Sequence, residues 1–250
     1  MQAGLADALQ GVRWASAGIV ADPPRVSRDP SVLRLGGACG SVFFVQCVRL
    51  VAYSDYLCPW CFNVAVRLQR LAQEDTEVQV SWRSYLLPSR PGRRDLERFR
   101  AYTQSWSRPG EEADSGRFQR WQGNTAPPHS SMPPQLAAKA AARQGSAAFA
   151  ALHERLFYAY FAESRDISDR DTLLDLWRES GIPEKGFSAM DDAELRQQVA
   201  AEHQEALDLG ATGVPSLRLS DSDVVVTGAL PLASYQRWVA RTRDRLEGGA

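Results

Sequence analysis

Two cysteines separated by two residues carry the clearest chemical signal in this sequence. Cys58 and Cys61 enclose Pro59 and Trp60. A thiol attacks other sulfur atoms only as a thiolate, and a helix N-terminus favours that anion through its free N–H groups and its positive dipole end. At this spacing the second sulfur can close a disulfide with the first or resolve a mixed one. The pair predicts dithiol chemistry, with Cys58 as the attacking thiol and Cys61 as the buried resolving thiol.

A zinc site is the main alternative for such a pair. Zinc needs two more ligands, and the remaining cysteines, Cys39 and Cys47, do not have the paired spacing of zinc ribbons. We therefore expect no metal and no organic cofactor. Cys47 begins a predicted strand and is expected to be a buried, inert thiol, whereas the role of Cys39 stays open.

The residues around the pair predict a βαβ unit. Residues 45–54 form a β-rich apolar run of strand length, residues 62–73 have the spacing of an amphipathic helix, and residues 77–87 alternate apolar and polar side chains. Pro59 suits the first position of a helix, where a missing N–H costs nothing. The cysteines are thus expected where a strand passes into a helix.

Helical signals dominate the middle of the chain. The predicted helices cover residues 95–106, 111–121, 135–144, 146–163, 169–180 and 191–210. Ser168 is the predicted N-cap of the fifth of these helices. Among the histidines, His153 and His203 are expected to be surface residues or to have satisfied hydrogen bonds, and His129 could face the cysteines from a Pro-rich loop.

The last forty residues predict a second, β-containing unit. A short strand is expected within residues 212–219, a hairpin partner at residues 224–227 and a terminal helix at residues 232–245. Val214 and Pro215 come just before the first of these strands. A proline at that position marks either an ordinary trans start of a strand or a cis bond.

Composition excludes several classes of protein. The 250 residues are 44% hydrophobic and 24% charged, with a net charge of -1, which argues against general disorder and against a nucleic-acid partner. The sequence lacks the long apolar run that a transmembrane helix needs, and we expect no membrane partner. Residues 1–46 show no regular period and are predicted to be a flexible N-terminal extension. They lack the pattern of a secretory signal, which predicts a cytoplasmic protein.

The segment YSDYLCPWC, residues 53–61, resembles thioredoxin-fold proteins of the DsbA family. The similarity is greatest to the branch that includes FrnE-type dithiol oxidoreductases and 2-hydroxychromene-2-carboxylate isomerases. Residues 156–161 and 166–169 resemble the helical insert of that branch, and residues 205–215 resemble its approach to a cis-proline loop. The resemblance extends over about residues 48–239.

This resemblance implies an α/β thioredoxin fold, βαβ plus ββα, with a large inserted α-helical domain. The thioredoxin-like domain would comprise residues 47–87 and 212–246, with the insert at residues 88–211. Cys58 would be the nucleophile and Cys61 the resolving cysteine. Pro215 would be cis and would face the cysteines. The residues implied to contact substrate are Val214, Pro215, Trp60, Pro59 and Asp55.

The intact cysteine pair favours a thiol–disulfide oxidoreductase that acts on protein or small-molecule disulfides or dithiols through a mixed disulfide. DsbA itself has His inside its motif, and Trp60 cannot supply that positive charge, which predicts a less oxidising couple. Relatives with Ser in place of Cys58 activate glutathione, so a glutathione-dependent isomerase or transferase is the second hypothesis, and glutathione a candidate co-substrate. A non-catalytic adaptor that binds peptides is the third. The natural substrate, the direction of electron flow and the oligomeric state stay open.

Overall fold

A four-stranded mixed sheet lies at the centre of the protein. The computed structural model describes residues 47–88, 95–124 and 127–248. The predicted extension, residues 1–46, and Cys39 therefore lie outside the described residues. The strands are β1 (Val48–Ser54), β2 (Val78–Ser84), β3 (Ser216–Leu219) and β4 (Val226–Thr227). Their order across the sheet is β2-β1-β3-β4, with β1 parallel to β2 and antiparallel to β3.

The predicted βαβ unit is confirmed. Helix α1 (Pro59–Glu74) joins β1 to β2, and the two strands pair in register from Val48 opposite Val78 to Ser54 opposite Ser84. The apolar face of α1 packs on the sheet through Val64 and other fully buried side chains. A helical crossover between parallel strands leaves the start of the helix at the carboxyl ends of the strands. The cysteine pair lies at this edge of the sheet.

The second unit brings the end of the chain back to the same edge. Strand β3 runs antiparallel to β1, with Ser216 opposite Tyr53, so β3 begins where β1 ends. The peptide bond between Val214 and Pro215, just before β3, is cis. Strand β4 and helix α8 (Leu232–Gly248) complete the unit, and β4 is only two residues long, shorter than the predicted 224–227.

Helices fill the chain between β2 and β3 throughout the part that the structure describes. They are α2 (Leu96–Tyr102), a 3-10 helix (Thr103–Trp106), α3 (Ser107–Gly110), α4 (Met132–Arg143), α5 (Ser146–Phe161), α6 (Arg170–Glu179), a second 3-10 helix (Glu184–Asp191) and α7 (Ala193–Asp208). This helical region confirms the expected fold class: a DsbA-like arrangement of a mixed sheet with a helical insertion.

The predicted helix at residues 111–121 is wrong. Helix α3 ends at Gly110, and the next residues run irregularly along α1. Side chains of α1 bind the backbone of this stretch: Asn63 donates to the Pro109 carbonyl at 2.8 Å and accepts from the Gly116 amide at 2.9 Å. A methyl group at Gly116 would lie 2.4 Å from the Phe62 ring, so the backbone approaches α1 too closely for another residue type. These long-range contacts replace local helical bonds.

The predicted N-cap of α6 is also wrong by one residue. The Asp169 carboxylate accepts the Thr172 amide at 2.8 Å, which makes Asp169 the cap. The Ser168 hydroxyl instead donates to Asp166 at 2.6 Å. Asp and Ser are both good caps, but the Ser168 hydroxyl already bonds to the Asp166 carboxylate and so does not cap α6.

A buried ion pair covers the outer edge of β2. The Lys139 ammonium of α4 lies 2.7 Å from the Glu202 carboxylate of α7, and both side chains are almost fully buried. Lys139 also donates to the Trp82 carbonyl at 3.1 Å, and Glu202 accepts the Ser84 amide at 2.6 Å. An edge strand presents unpaired backbone groups that need partners once they are buried. The ion pair supplies these partners and joins α4 and α7 to the sheet.

Candidate active site

Cys58 lies at the start of α1, as predicted. It is the N-cap residue, with extended backbone angles, and Pro59 follows as the first helical residue. Its carbonyl accepts the amides of Cys61 at 3.1 Å and Phe62 at 3.3 Å. The residue therefore lies at the end of α1 that carries the free N–H groups and the positive end of the helix dipole.

The Val214 carbonyl lies directly opposite this thiol. The Cys58 Sγ donates to it at 3.4 Å, across 156 positions of sequence. The contact arises because β3 begins at the carboxyl end of β1, so the loop that contains Val214 and Pro215 meets the start of α1. The fold thus brings together the start of α1 and the loop before β3, the two segments that carry the candidate site residues.

Cys61 lies one turn further along α1 and is fully buried. Burial raises the pKa of the Cys61 thiol well above its usual value, and the neighbouring Cys58 adds to this effect, whereas the backbone N–H of Asp55 and the hydroxyl of Ser54 act in the opposite direction. Both cysteines are free thiols. The two sulfurs therefore lie in different settings: Cys58 is 7% exposed and contacts the Val214 carbonyl, whereas Cys61 is completely buried and stays protonated.

Asp55 holds the turn that leads into Cys58. Its carboxylate accepts the amides of Leu57 and Leu87, both at 2.7 Å, and its carbonyl accepts the Cys58 amide at 3.1 Å. The side chain is fully buried, and burial raises the pKa of Asp55 even though the two amides lower it. Asp55 thus lies beneath the surface, where it positions the backbone of the turn, and not on the surface that a substrate would touch.

Replacing Asp55 by Asn should test this bracing role. The amide has one accepting oxygen and one donating nitrogen, so one of the two backbone amides would face another donor. We expect Asp55→Asn to lower the free energy of unfolding by about 1–3 kcal/mol, measured by urea denaturation. Asp223→Asn, at an exposed aspartate, is the matched control and should change little. Equal stability of the two variants would contradict the role.

A family model describes residues 49–239 as a DSBA-like thioredoxin domain, which is more than half of the chain. The chain belongs to the DSBA-like thioredoxin domain family. No curated protein matches the sequence, so the solved structures provide the remaining comparisons.

Three solved structures place this DSBA-like domain among its relatives. It resembles the cytosolic disulfide reductase DsbM from Pseudomonas aeruginosa at 25% identity, over 80% of this chain and 98% of DsbM, with a TM-score of 0.61. The same protein solved with GSH matches at 24% identity, over 80% of this chain and 98% of that chain, with a TM-score of 0.60. A protein from Streptomyces coelicolor, described as a probable DsbA oxidoreductase, matches at 23% over 78% of this chain and 89% of its own, with a TM-score of 0.62.

The surface around Cys58 in the DSBA-like domain is largely apolar. Leu57, Pro59, Trp60 and Val214 are all partly exposed, and three of them (Leu57, Trp60 and Val214) also pack against the buried core cluster. Partly exposed apolar side chains around a reactive group favour contact with an apolar or peptide-like ligand. Pro59 and Trp60 thus belong to the partly exposed apolar surface beside Cys58.

Several other expectations for the DSBA-like domain have different outcomes. Cys47 precedes β1 and is partly exposed, so the prediction of a buried thiol is wrong, although the burial that it has raises its pKa. His129 is exposed, with its Nδ1 3.4 Å from the Ser168 hydroxyl. His203 accepts the Leu86 amide at 3.2 Å. His153 is fully buried, as a satisfied histidine can be, but its bond to Tyr56 had no sequence signal because 97 positions separate them.

The described ranges contain neither a candidate metal site nor a helix that could span a membrane. Among residues 47–88, 95–124 and 127–248, no three His, Cys, Asp or Glu side chains lie together in a way that could hold a metal ion. In the same part of the DSBA-like domain, every helix is too short or too polar to cross a bilayer.

Proposed function

We propose that this protein is a thiol–disulfide oxidoreductase that exchanges electrons through the Cys58–Cys61 dithiol. One observation carries the proposal. The Cys58 thiol lies at the N-terminus of α1 against the Val214 carbonyl, with the buried Cys61 thiol one turn behind it. This arrangement separates an attacking sulfur from a resolving sulfur, as two-step exchange requires.

The proposed reaction proceeds through a mixed disulfide. The Cys58 thiolate attacks one sulfur of a substrate disulfide, forms a new S–S bond and releases the other sulfur as a thiolate. Cys61 then loses its proton and attacks the Cys58 sulfur, which releases the second substrate sulfur as a thiolate. The substrate gains two electrons, its two thiolates take up protons, and the enzyme is left with a Cys58–Cys61 disulfide. The reverse sequence oxidises a dithiol, and the reduction potentials set the direction.

Contacts beside Cys58 support a substrate site on the loop before β3. The backbone of Val214 would pair with an extended peptide or thiol, and Pro215, Pro59 and Trp60 would form the apolar surroundings. The similarity to a cytosolic disulfide reductase supports a cytoplasmic protein that works in the reducing direction. The two thiols carry both electrons, so we propose that the chain needs no metal or organic cofactor.

A redox titration tests the proposal directly. The protein is equilibrated in buffers of reduced and oxidised glutathione, alkylated, and weighed by mass spectrometry. We expect one reversible two-electron transition between the dithiol and an internal Cys58–Cys61 disulfide, with a midpoint more reducing than about -120 mV, the value of DsbA. Absence of an internal disulfide at every glutathione ratio would refute the proposal.

Glutathione is the proposed co-substrate, and it also defines the second candidate function. The related DsbM was solved with GSH, which favours a glutathione-binding surface in this chain as well. In a glutathione-dependent isomerase or transferase, Cys58 would meet the glutathione sulfur and Cys61 would be dispensable. A stable glutathione adduct on Cys58, with no internal disulfide, would favour that second function over the first.

A further inference from the structure

A buried hydrogen bond links the turn that carries Cys58 to α5 in the helical region. The Tyr56 hydroxyl lies 2.7 Å from Nδ1 of His153 in α5, and both side chains are almost completely buried. Tyr56 is two residues before Cys58, inside the turn that the Cys58 amide closes on Asp55. Movement of the Tyr56 side chain would therefore move the attacking thiol.

His153 is enclosed by aromatic rings. Its ring centroid lies 4.4 Å from that of Trp82, 5.1 Å from that of Phe149 and 5.2 Å from that of Phe157. Burial, together with the charge of Lys139, lowers the pKa of His153 to about 3, so the ring is neutral at physiological pH. A neutral ring accepts at one nitrogen and donates from the other. The bond between the Tyr56 hydroxyl and Nδ1 can run in either direction, according to which ring nitrogen carries the proton.

His153 also borders a small cavity between α1 and β2. The cavity has a volume of about 10 Å³, and Gln69 and Trp82 also line it. His153 Nε2, Trp82 Nε1 and Gln69 Nε2 are buried, and within the described ranges none of these nitrogens has a hydrogen-bond partner. A cavity of this size holds one water, which can accept the N–H groups of Trp82 and Gln69 and donate to Nε2 of His153 in the tautomer that carries its proton on Nδ1. The site fits one water that fixes the His153 ring from behind.

We propose that His153 is a positioning residue for the dithiol, held by Tyr56 on one side and by a buried water on the other. The inference rests on the proposed exchange reaction. His153 touches neither sulfur. It acts through Tyr56, because the hydrogen bond fixes the turn and the turn fixes Cys58 opposite Val214. Small displacements of a reacting group cost large factors in rate.

The test compares His153→Leu with His153→Asn in the full-length protein. Leu and Asn have nearly the same shape, but the Asn side-chain amide can bond the Tyr56 hydroxyl in place of Nδ1, through its accepting oxygen or its donating nitrogen. The measurement is the rate at which Cys58 forms a mixed disulfide with oxidised glutathione at neutral pH. We expect His153→Leu to be about tenfold slower than wild type and His153→Asn to stay within about threefold.

Two tyrosine variants sharpen the test. Tyr56→Phe should slow the reaction as much as His153→Leu does, and the double variant should be no slower than either single variant, because both remove the same bond. Tyr235→Phe removes a buried hydroxyl that accepts the Leu230 amide at 3.1 Å, and it should leave the rate unchanged. Tyr56→Phe alone decides the matter if His153→Leu does not fold.

The outcomes separate this inference from the proposed function. Wild-type rates in both His153→Leu and Tyr56→Phe would overturn the positioning role, and so would equal slowing in the Leu and Asn variants, since ring packing would then account for the loss. A wild-type protein that forms no mixed disulfide would overturn the proposed function instead.

Discussion

Cys61→Ser protein is expected to accumulate as a mixed disulfide between Cys58 and its substrate, whereas Cys58→Ser protein is expected to lose exchange by roughly a thousandfold or more. The reason is the different setting of the two sulfurs. Cys58 is held at the N-terminus of α1 beside the Val214 carbonyl, while Cys61 is fully buried and can reach only the disulfide formed at Cys58. Removal of Cys61 stops the second step and leaves the first intact.

The measurement is non-reducing mass spectrometry of each variant after incubation with oxidised glutathione or a disulfide-bonded peptide. Cys47→Ser is the matched control, because Cys47 is a free, partly exposed thiol just before β1. It should exchange at the wild-type rate. Continued turnover in Cys61→Ser would support the glutathione-dependent reading. Unchanged client binding and cellular phenotype after loss of both cysteines would support the adaptor.

Lys139→Met is expected to lower the free energy of unfolding by about 3–5 kcal/mol at neutral pH. The substitution removes the nearer of two cations at the buried Glu202 carboxylate and leaves only Arg83, at 3.4 Å. Burial raises the pKa of Glu202, but Lys139 and the Ser84 amide outweigh it and lower the pKa below the ordinary value of 4.5. Lys185→Met, the same change at an exposed lysine, is the control and should be nearly neutral.

The pH dependence gives this prediction a second signature. In the wild type the pKa of Glu202 is lowered by folding, so its contribution to stability is present above pH 4.5 and is lost as the pH falls through the folded value. Without Lys139, we expect burial to outweigh the Ser84 amide and Arg83, so that the folded pKa rises and stability is lost as the pH rises. The difference between Lys139→Met and wild type, from urea denaturation, should therefore be larger at neutral pH than near pH 5. A constant difference would contradict the ion-pair account.

The parts of the fold that local patterns predict are those held by local contacts. The βαβ unit was predictable because strand alternation, helical spacing and Pro59 all act within about thirty residues. Residues 111–121 failed as a helix because Asn63 of α1 binds the backbone at Pro109, just before them, and at Gly116, within them, and a distant side chain leaves no periodic trace in the segment that it binds. Ser168 failed as a cap because only the structure shows its hydroxyl committed to Asp166.

The candidate site divides in the same way. The spacing of Cys58 and Cys61 alone predicts dithiol chemistry. The position of Val214 opposite Cys58 was expected only from the family resemblance. The contacts that support the site and the sheet could not be predicted from the sequence. Tyr56 and His153 are 97 positions apart, and Lys139 and Glu202 are 63 apart. Single residues of common types, brought together by packing, have no spacing that a sequence pattern could detect.

The antiparallel pairing of β3 with β1 has a consequence for biogenesis. Because 156 positions separate Cys58 from Val214, both cysteines of the motif emerge from the ribosome long before the strand that completes their surroundings. Closing a pairing of such long range comes late and slowly in folding. A nascent chain therefore exposes both thiols on an unfinished sheet, and the contact between Cys58 and Val214 forms only once the whole chain has been made.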